Sequence, residues 1–98
     1  MKLRKKFPNV IFIISDEMKA TSLKMYSEYG VETPNLENLA KNGVLYKNAI
    51  TPHPLCVPAR TSLVTSRFPS STGCRRNETF LPLTETHVFE IWKTLGFK

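Results

Sequence analysis

The sequence predicts an α/β fold: the N-terminal part of a larger domain built on a mostly parallel sheet. Three observations point to it. "NVIFIIS", residues 9–15, is an unbroken apolar, largely β-branched run, the pattern of a strand buried on both faces. Two punctuated helical segments, "TPNLENLAKNG" and "TETHVFEIWKTLG", sit downstream at helical spacing. A second apolar segment, "VLYKNAI", follows the first of them, giving the strand–helix–strand order of parallel sheets.

The first strand runs into Ser15, Asp16 and Glu17, so two carboxylates stand where it ends. In open α/β sheets, ligands collect at the carboxyl ends of strands. "KATSLKMYSEYG" reads as a loop with a short helical piece, closed by Gly30. In the first helix Thr33 is the expected cap and Pro34 fits the first turn. Leu36, Leu39 and Ala40 form its expected buried stripe, and Gly43 is its stop. "TPHPLCVP" holds three prolines and must be a loop, with helical pattern resuming at Pro58. "RFPSSTGCRRNETFLP" is turn-rich, and Cys74, Arg75 and Arg76 are read as surface residues. In the last helix Thr84 is the expected cap, with Val88, Ile91, Trp92 and Leu95 facing a core and Gly96 closing it. The pattern stops at Phe97 and Lys98, where another strand is expected. Residues 1–98 therefore read as an incomplete portion of a domain.

The bulk composition narrows the function classes. At 41% hydrophobic and 22% charged, the chain is globular rather than disordered. Its net charge of +6 is concentrated at the start, in Lys2, Arg4, Lys5 and Lys6. No aromatic residue interleaves with that cluster, so it reads as a solvated terminus and not as a nucleic-acid surface. The apolar run behind it is shorter than the roughly 7–15 residues of a signal-peptide core. No stretch approaches the roughly 20 apolar residues of a membrane span. The expectation is a cytoplasmic protein without nucleic-acid or membrane partners. Two cysteines, Cys56 and Cys74, give neither a disulfide framework nor a metal-ligand spacing.

The most informative stretch is "PLCVPARTSLVTSR". Cys56 lies between Pro54 and Pro58, with Arg60 four residues on and Arg67 eleven. Cys56-x-Pro58-x-Arg60, followed by Leu63, Thr65 and Arg67, resembles the signature of the sulfatases. Ser66 stands where that signature usually has glycine. "PNVIFIISDE" and "TPNLENLAKNGVLYKNAITPHPLCVPARTSLVTSRFPSSTG" resemble the family's N-terminal region in the same order, so the likeness covers nearly the whole chain.

The resemblance implies an alkaline-phosphatase-like fold and a sulfuric ester hydrolase. It implies that Cys56 is oxidised to Cα-formylglycine by a formylglycine-generating or anaerobic sulfatase-maturating enzyme. In the family the hydrated aldehyde, held on a divalent cation, attacks the sulfur of a sulfate ester. Its second hydroxyl then drives release of sulfate, an exit that a serine nucleophile lacks. By the same resemblance Cys56 and Arg60 belong to the catalytic centre. Asp16, Glu17 and the modified Cys56 are the expected metal ligands, for Ca2+ first and Mn2+ or another cation otherwise. Asn77 matches an asparagine that contacts the substrate group in related phosphonate and sulfate ester hydrolases. Arg67 reads as structural and His53 as an ordinary loop histidine. A phosphonate or phosphate monoester hydrolase of the same superfamily is the enzymatic alternative. A catalytically inactive fragment is the other, and the 98 residues alone are expected not to turn over sulfate esters.

Overall fold

The computed structural model of the chain describes residues 9–97. The basic cluster at Lys2–Lys6 lies outside them. The chain divides into two compact units, residues 1–47 and 48–98, each described here by itself.

In the first unit, residues 9–15 are extended but form no strand. Among the described residues the only strand-like pairing is a single parallel bridge between Leu23 and Val31. Both expected strands, 9–15 and 44–50, are therefore corrected to extended or irregular chain. The physical reason is the missing ladder: a parallel strand needs a neighbour for its N–H and C=O groups, and none of the described residues supplies one. The side chains of the first run nevertheless alternate as in a strand. Ile11 and Ile13 are more than 80% exposed, whereas Val10, Phe12 and Ile14 are about half exposed. Asp16 and Glu17 form the turn that ends the run, with Glu17 in the left-handed region at φ 51°.

A 3-10 turn at Ala20–Ser22 leads into the Leu23–Val31 bridge. The loop between the bridged residues folds back tightly. Lys24 N–H donates to the Val31 carbonyl at 3.0 Å, and Val31 N–H to that of Ser22 at 2.8 Å. Gly30 permits this closure, because a Cβ there would lie 2.2 Å from the Leu23 carbonyl carbon. Lys24 and Glu32 form an ion pair across the loop's mouth. Helix α1 spans Pro34–Lys41 as the sequence predicts. Thr33 is its N-cap residue, but its hydroxyl makes no capping bond. Instead the Thr33 N–H donates to Glu37 Oε1 at 3.0 Å, so a side chain one turn into the helix satisfies the N-cap amide. The expected stripe is only partly covered: Ala40 is half-buried, while Leu36 and Leu39 are exposed.

The second unit holds three helices: α2 at Cys56–Thr65, α3 at Pro69–Thr72 and α4 at Val88–Thr94. Helix α2 packs against both others. It begins at Cys56, two residues before the expected start at Pro58. Proline is tolerated in a first turn, whose N–H groups have no intrahelical partner, so Pro58 need not open the helix. The short α3 replaces part of the expected turn-rich segment, with Pro69 at its start and Gly73 closing it in the left-handed region. Helix α4 starts later than expected. Its cap is His87, not Thr84, and His87 Nδ1 accepts from the Glu90 N–H at 3.3 Å. Phe89 stacks edge-on to Trp92, with ring centroids 5.6 Å apart. Trp92 and Val88 are half-buried, but Ile91 and Leu95 are exposed.

Candidate active site at the start of helix α2

The core of the second unit is small and partly polar, and it explains how α2 is seated. Pro58 and Cys74 are fully buried; Thr61, Ser62, Pro69 and Thr72 are buried beside them. Cys74, expected at the surface, is corrected to the centre of this core. Its thiol lies 3.5 Å from Thr61 Oγ1 and donates to the Thr79 carbonyl at 3.4 Å. Cysteine behaves as a small hydrophobe with a weak S–H donor, so a buried site with a carbonyl partner suits it.

The spacing Cys-x-Pro-x-Arg follows from this seating. A helix advances about 100° per residue, so Pro58 falls roughly 200° from Cys56 and Arg60 only about 40° from it. Pro58, Thr61 and Ser62 share the buried face, and Cys56, Arg60 and Leu63 share the exposed one. The proline anchors the first turn from inside while the cysteine and arginine face outward on adjacent turns. Cys56 is thus an exposed free thiol and Cys74 a buried one.

Asn77 reaches the same turn from a distant point in the sequence. Its Oδ1 accepts the Val57 N–H at 3.1 Å. The Ala59 N–H donates to the Leu55 carbonyl at 3.1 Å, and Pro58 has no N–H. Three of the four positions opening α2 are therefore accounted for, and the Cys56 amide is the fourth. Upstream, His53 Nδ1 accepts the Leu55 N–H at 3.1 Å, and Thr51 Oγ1 donates to the His53 carbonyl at 2.9 Å. These bonds shape the proline-rich approach to Cys56. At the other end of α2, Arg67 Nη1 meets both carboxylate oxygens of Glu85, at 2.5 and 2.6 Å. Arg67 thus ties the end of α2 to the segment preceding α4, the structural part read for it from sequence.

The second unit therefore brings Cys56, Arg60 and Asn77 together around one helix start. Asp16 and Glu17 belong to the first unit. Among the described residues no group of three or more His, Cys, Asp and Glu side chains could hold a metal ion. The described residues do not build a metal site by themselves. A cleft of about 420 Å³ in the first unit is lined by Lys24, Met25, Glu37, Ala40, Lys41 and Leu45. No expected site residue lines it. Among the described residues no helix is long and apolar enough to cross a membrane.

Sequence reasoning missed two parts of this arrangement. The inward-facing Pro58 could have been found from helical phase, since it lies opposite Cys56 on a helix that starts at the cysteine. The Cys74–Thr61–Thr79 cluster had a weaker signal, the general preference of free cysteine for burial.

Cys56-x-Pro58-x-Arg60, the stretch that resembles the sulfatase signature, thus places an exposed cysteine at the first position of α2, a buried proline behind it and an arginine one turn later. The sulfatase family model matches residues 8–98, and the chain belongs to the sulfatase family. Membership implies an alkaline-phosphatase-like α/β fold for the whole domain. The chain is similar to an ulvan-active sulfatase of Formosa agariphila, 37% identical over 90 residues, which are 92% of this chain and 18% of that protein. It is also similar to human N-acetylgalactosamine-6-sulfatase, 39% identical over 66 residues, 67% of this chain and 13% of that enzyme. The chain thus spans less than a fifth of the length of the curated relatives it matches. No solved structure matches it.

Proposed function

We propose that this chain carries the nucleophile-bearing segment of a sulfuric ester hydrolase, in which Cys56 is converted to Cα-formylglycine. The observation that carries the reading is the contrast between the two cysteines. Cys56 is exposed at the first turn of α2, with Arg60 on the same face, and Cys74 is buried in the core. Conversion of Cys56 replaces its CH2–SH by an aldehyde, the sulfur leaving as sulfide and the oxidant supplied by a formylglycine-generating or anaerobic sulfatase-maturating partner. Hydration of the aldehyde gives two hydroxyls on one carbon. One can attack the sulfur of the ester as the bond to the alcohol breaks. Loss of the proton from the other restores the aldehyde and releases sulfate.

The chain's own residues have distinct parts. Pro58 holds the turn in place, and Arg60 offers a fixed positive charge and up to five N–H donors beside the nucleophile. Asn77 lies beside the same turn, where a substrate group would approach. Asp16, Glu17 and the modified Cys56 are the oxygen ligands this segment would contribute toward a divalent cation, Ca2+ or a similar hard ion. Among the described residues these side chains supply neither a full ligand set nor a group placed to protonate the leaving alcohol. The first substrates to test are those named by its relatives, ulvan and N-acetylgalactosamine 6-sulfate.

The test is expression of the full-length protein with a maturating enzyme, followed by assay of aryl sulfates beside phosphonate esters. Turnover of sulfate esters that disappears in Cys56→Ala supports the reading. Preferential turnover of phosphonate or phosphate esters moves the protein to the neighbouring hydrolase class. No turnover by a fully converted protein rejects both.

A further inference from the structure

The bond between Asn77 and the start of α2 assigns this side chain a part other than substrate contact. The acceptor atom of Asn77, Oδ1, is engaged by the Val57 N–H at 3.1 Å. Val57 is the residue directly after Cys56, and its N–H belongs to the peptide group that carries the Cys56 carbonyl. Holding that N–H fixes the plane of the peptide and so restrains the backbone from which the Cys56 side chain projects. The bond joins residues 20 apart in sequence, so it is a tertiary tie and not a local cap. The N-cap position itself, Leu55, has no side chain able to do this work.

We propose that Asn77 is a positioning residue for residue 56, acting through its Oδ1 on the Val57 amide rather than by donating to the substrate. This rests on the sulfatase reading for its kinetic consequence but not for the tie itself. The two roles for Asn77 use opposite ends of the amide. Positioning needs the oxygen, which aspartate keeps. Contact with an anionic substrate needs the NH₂ donors, which aspartate lacks and replaces with a repelling charge. Asn77→Asp and Asn77→Ala therefore rank in opposite orders under the two roles.

The experiment uses the full-length protein, converted at residue 56 to an extent measured by mass spectrometry, with an aryl sulfate as substrate. Amide exchange at Val57 is followed in parallel. In Asn77→Ala, Val57 exchange should rise at least about tenfold. By the same disorder of the nucleophile, kcat should fall by about ten- to a hundredfold with KM within about twofold. Asn77→Asp should restore Val57 protection and most of kcat. Unchanged Val57 exchange in Asn77→Ala overturns the proposal. So does a higher KM with unchanged kcat, or an aspartate variant more impaired than the alanine variant. If the converted wild-type protein hydrolyses no sulfate ester, the sulfatase reading fails. Val57 exchange then decides the tie alone: protection lost in alanine and kept in aspartate supports it, and any other pattern rejects it.

Discussion

Replacing Ser66 with glycine should tighten the end of α2. Ser66 closes the helix in the left-handed region, at φ 56° and ψ 26°, and its N–H donates to the Ser62 carbonyl at 2.8 Å. That geometry costs an L-residue about 1–2 kcal/mol, because Cβ crowds the following carbonyl. Glycine escapes this cost but loses more backbone freedom on folding, which returns about 0.5–1 kcal/mol. The Ser66 side chain is exposed, so truncating it removes no packing. The net effect is a gain of about 0.5–1 kcal/mol, or a roughly two- to fivefold slower opening of the last turn. Amide exchange at residue 66 in the full-length protein, corrected for intrinsic rates, measures it. Faster exchange in Ser66→Gly would mean that the serine is not strained there. The seryl residue where the sulfatase signature usually has glycine would then need another explanation.

Gly30→Ala should act in the opposite direction: the new Cβ would lie 2.2–2.4 Å from the Leu23 and Lys24 backbone. Relief would break the paired hydrogen bonds of that loop, at a cost of about 2 kcal/mol or more, read as a lower denaturation midpoint. Asp16→Asn should leave the fold intact, since Asp16 is exposed, and weaken Ca2+ binding about tenfold or more in calorimetry of the full-length protein; unchanged binding removes Asp16 from the ligand set. The Lys24–Glu32 pair gives a pH test. Its hydrogen bond and charge hold the Glu32 carboxyl below its ordinary 4.5 and raise Lys24 above its ordinary 10.5. Support from the carboxylate is therefore present above pH 4.5 and lost as pH falls through the lowered Glu32 value, while support from the ammonium is lost as pH rises through the raised Lys24 value. An NMR titration of Glu32 that shifts upward in Lys24→Ala checks this, and an unmoved midpoint contradicts it.

The helices were legible in the sequence where local signals set them. Thr33 and Pro34 mark the start of α1, and the observed bounds agree with the reading. The start of α2 was misplaced because Pro58 resembles a helix opener. Its full burial, opposite the exposed Cys56, shows that it is the inward residue of a turn already begun. Thr84 looked like a cap for α4, but the actual cap, His87, bonds through a ring nitrogen that sequence rules for capping do not weigh. The two strands failed for a different reason. Val10–Ile14 has the apolar, β-branched composition of a strand, but a strand is a property of a pair, and no partner lies among the described residues. Cys56 and Arg60 stand out in the sequence through the Cys-x-Pro-x-Arg pattern, and their placement one turn apart on one helix follows from its spacing. The bond from Asn77 to Val57 was not, since it depends on how the chain returns 20 residues later.

The central claim is that Cys56 and not Cys74 is the residue converted to formylglycine. Peptide mass spectrometry of the full-length protein, co-expressed with a maturating enzyme, measures both cysteines in one digest. An aldehyde at residue 56, trapped by a hydrazine or a comparable carbonyl reagent, with Cys74 remaining a thiol, is the expected result. A persistent thiol at residue 56 in protein that hydrolyses sulfate esters would contradict the claim.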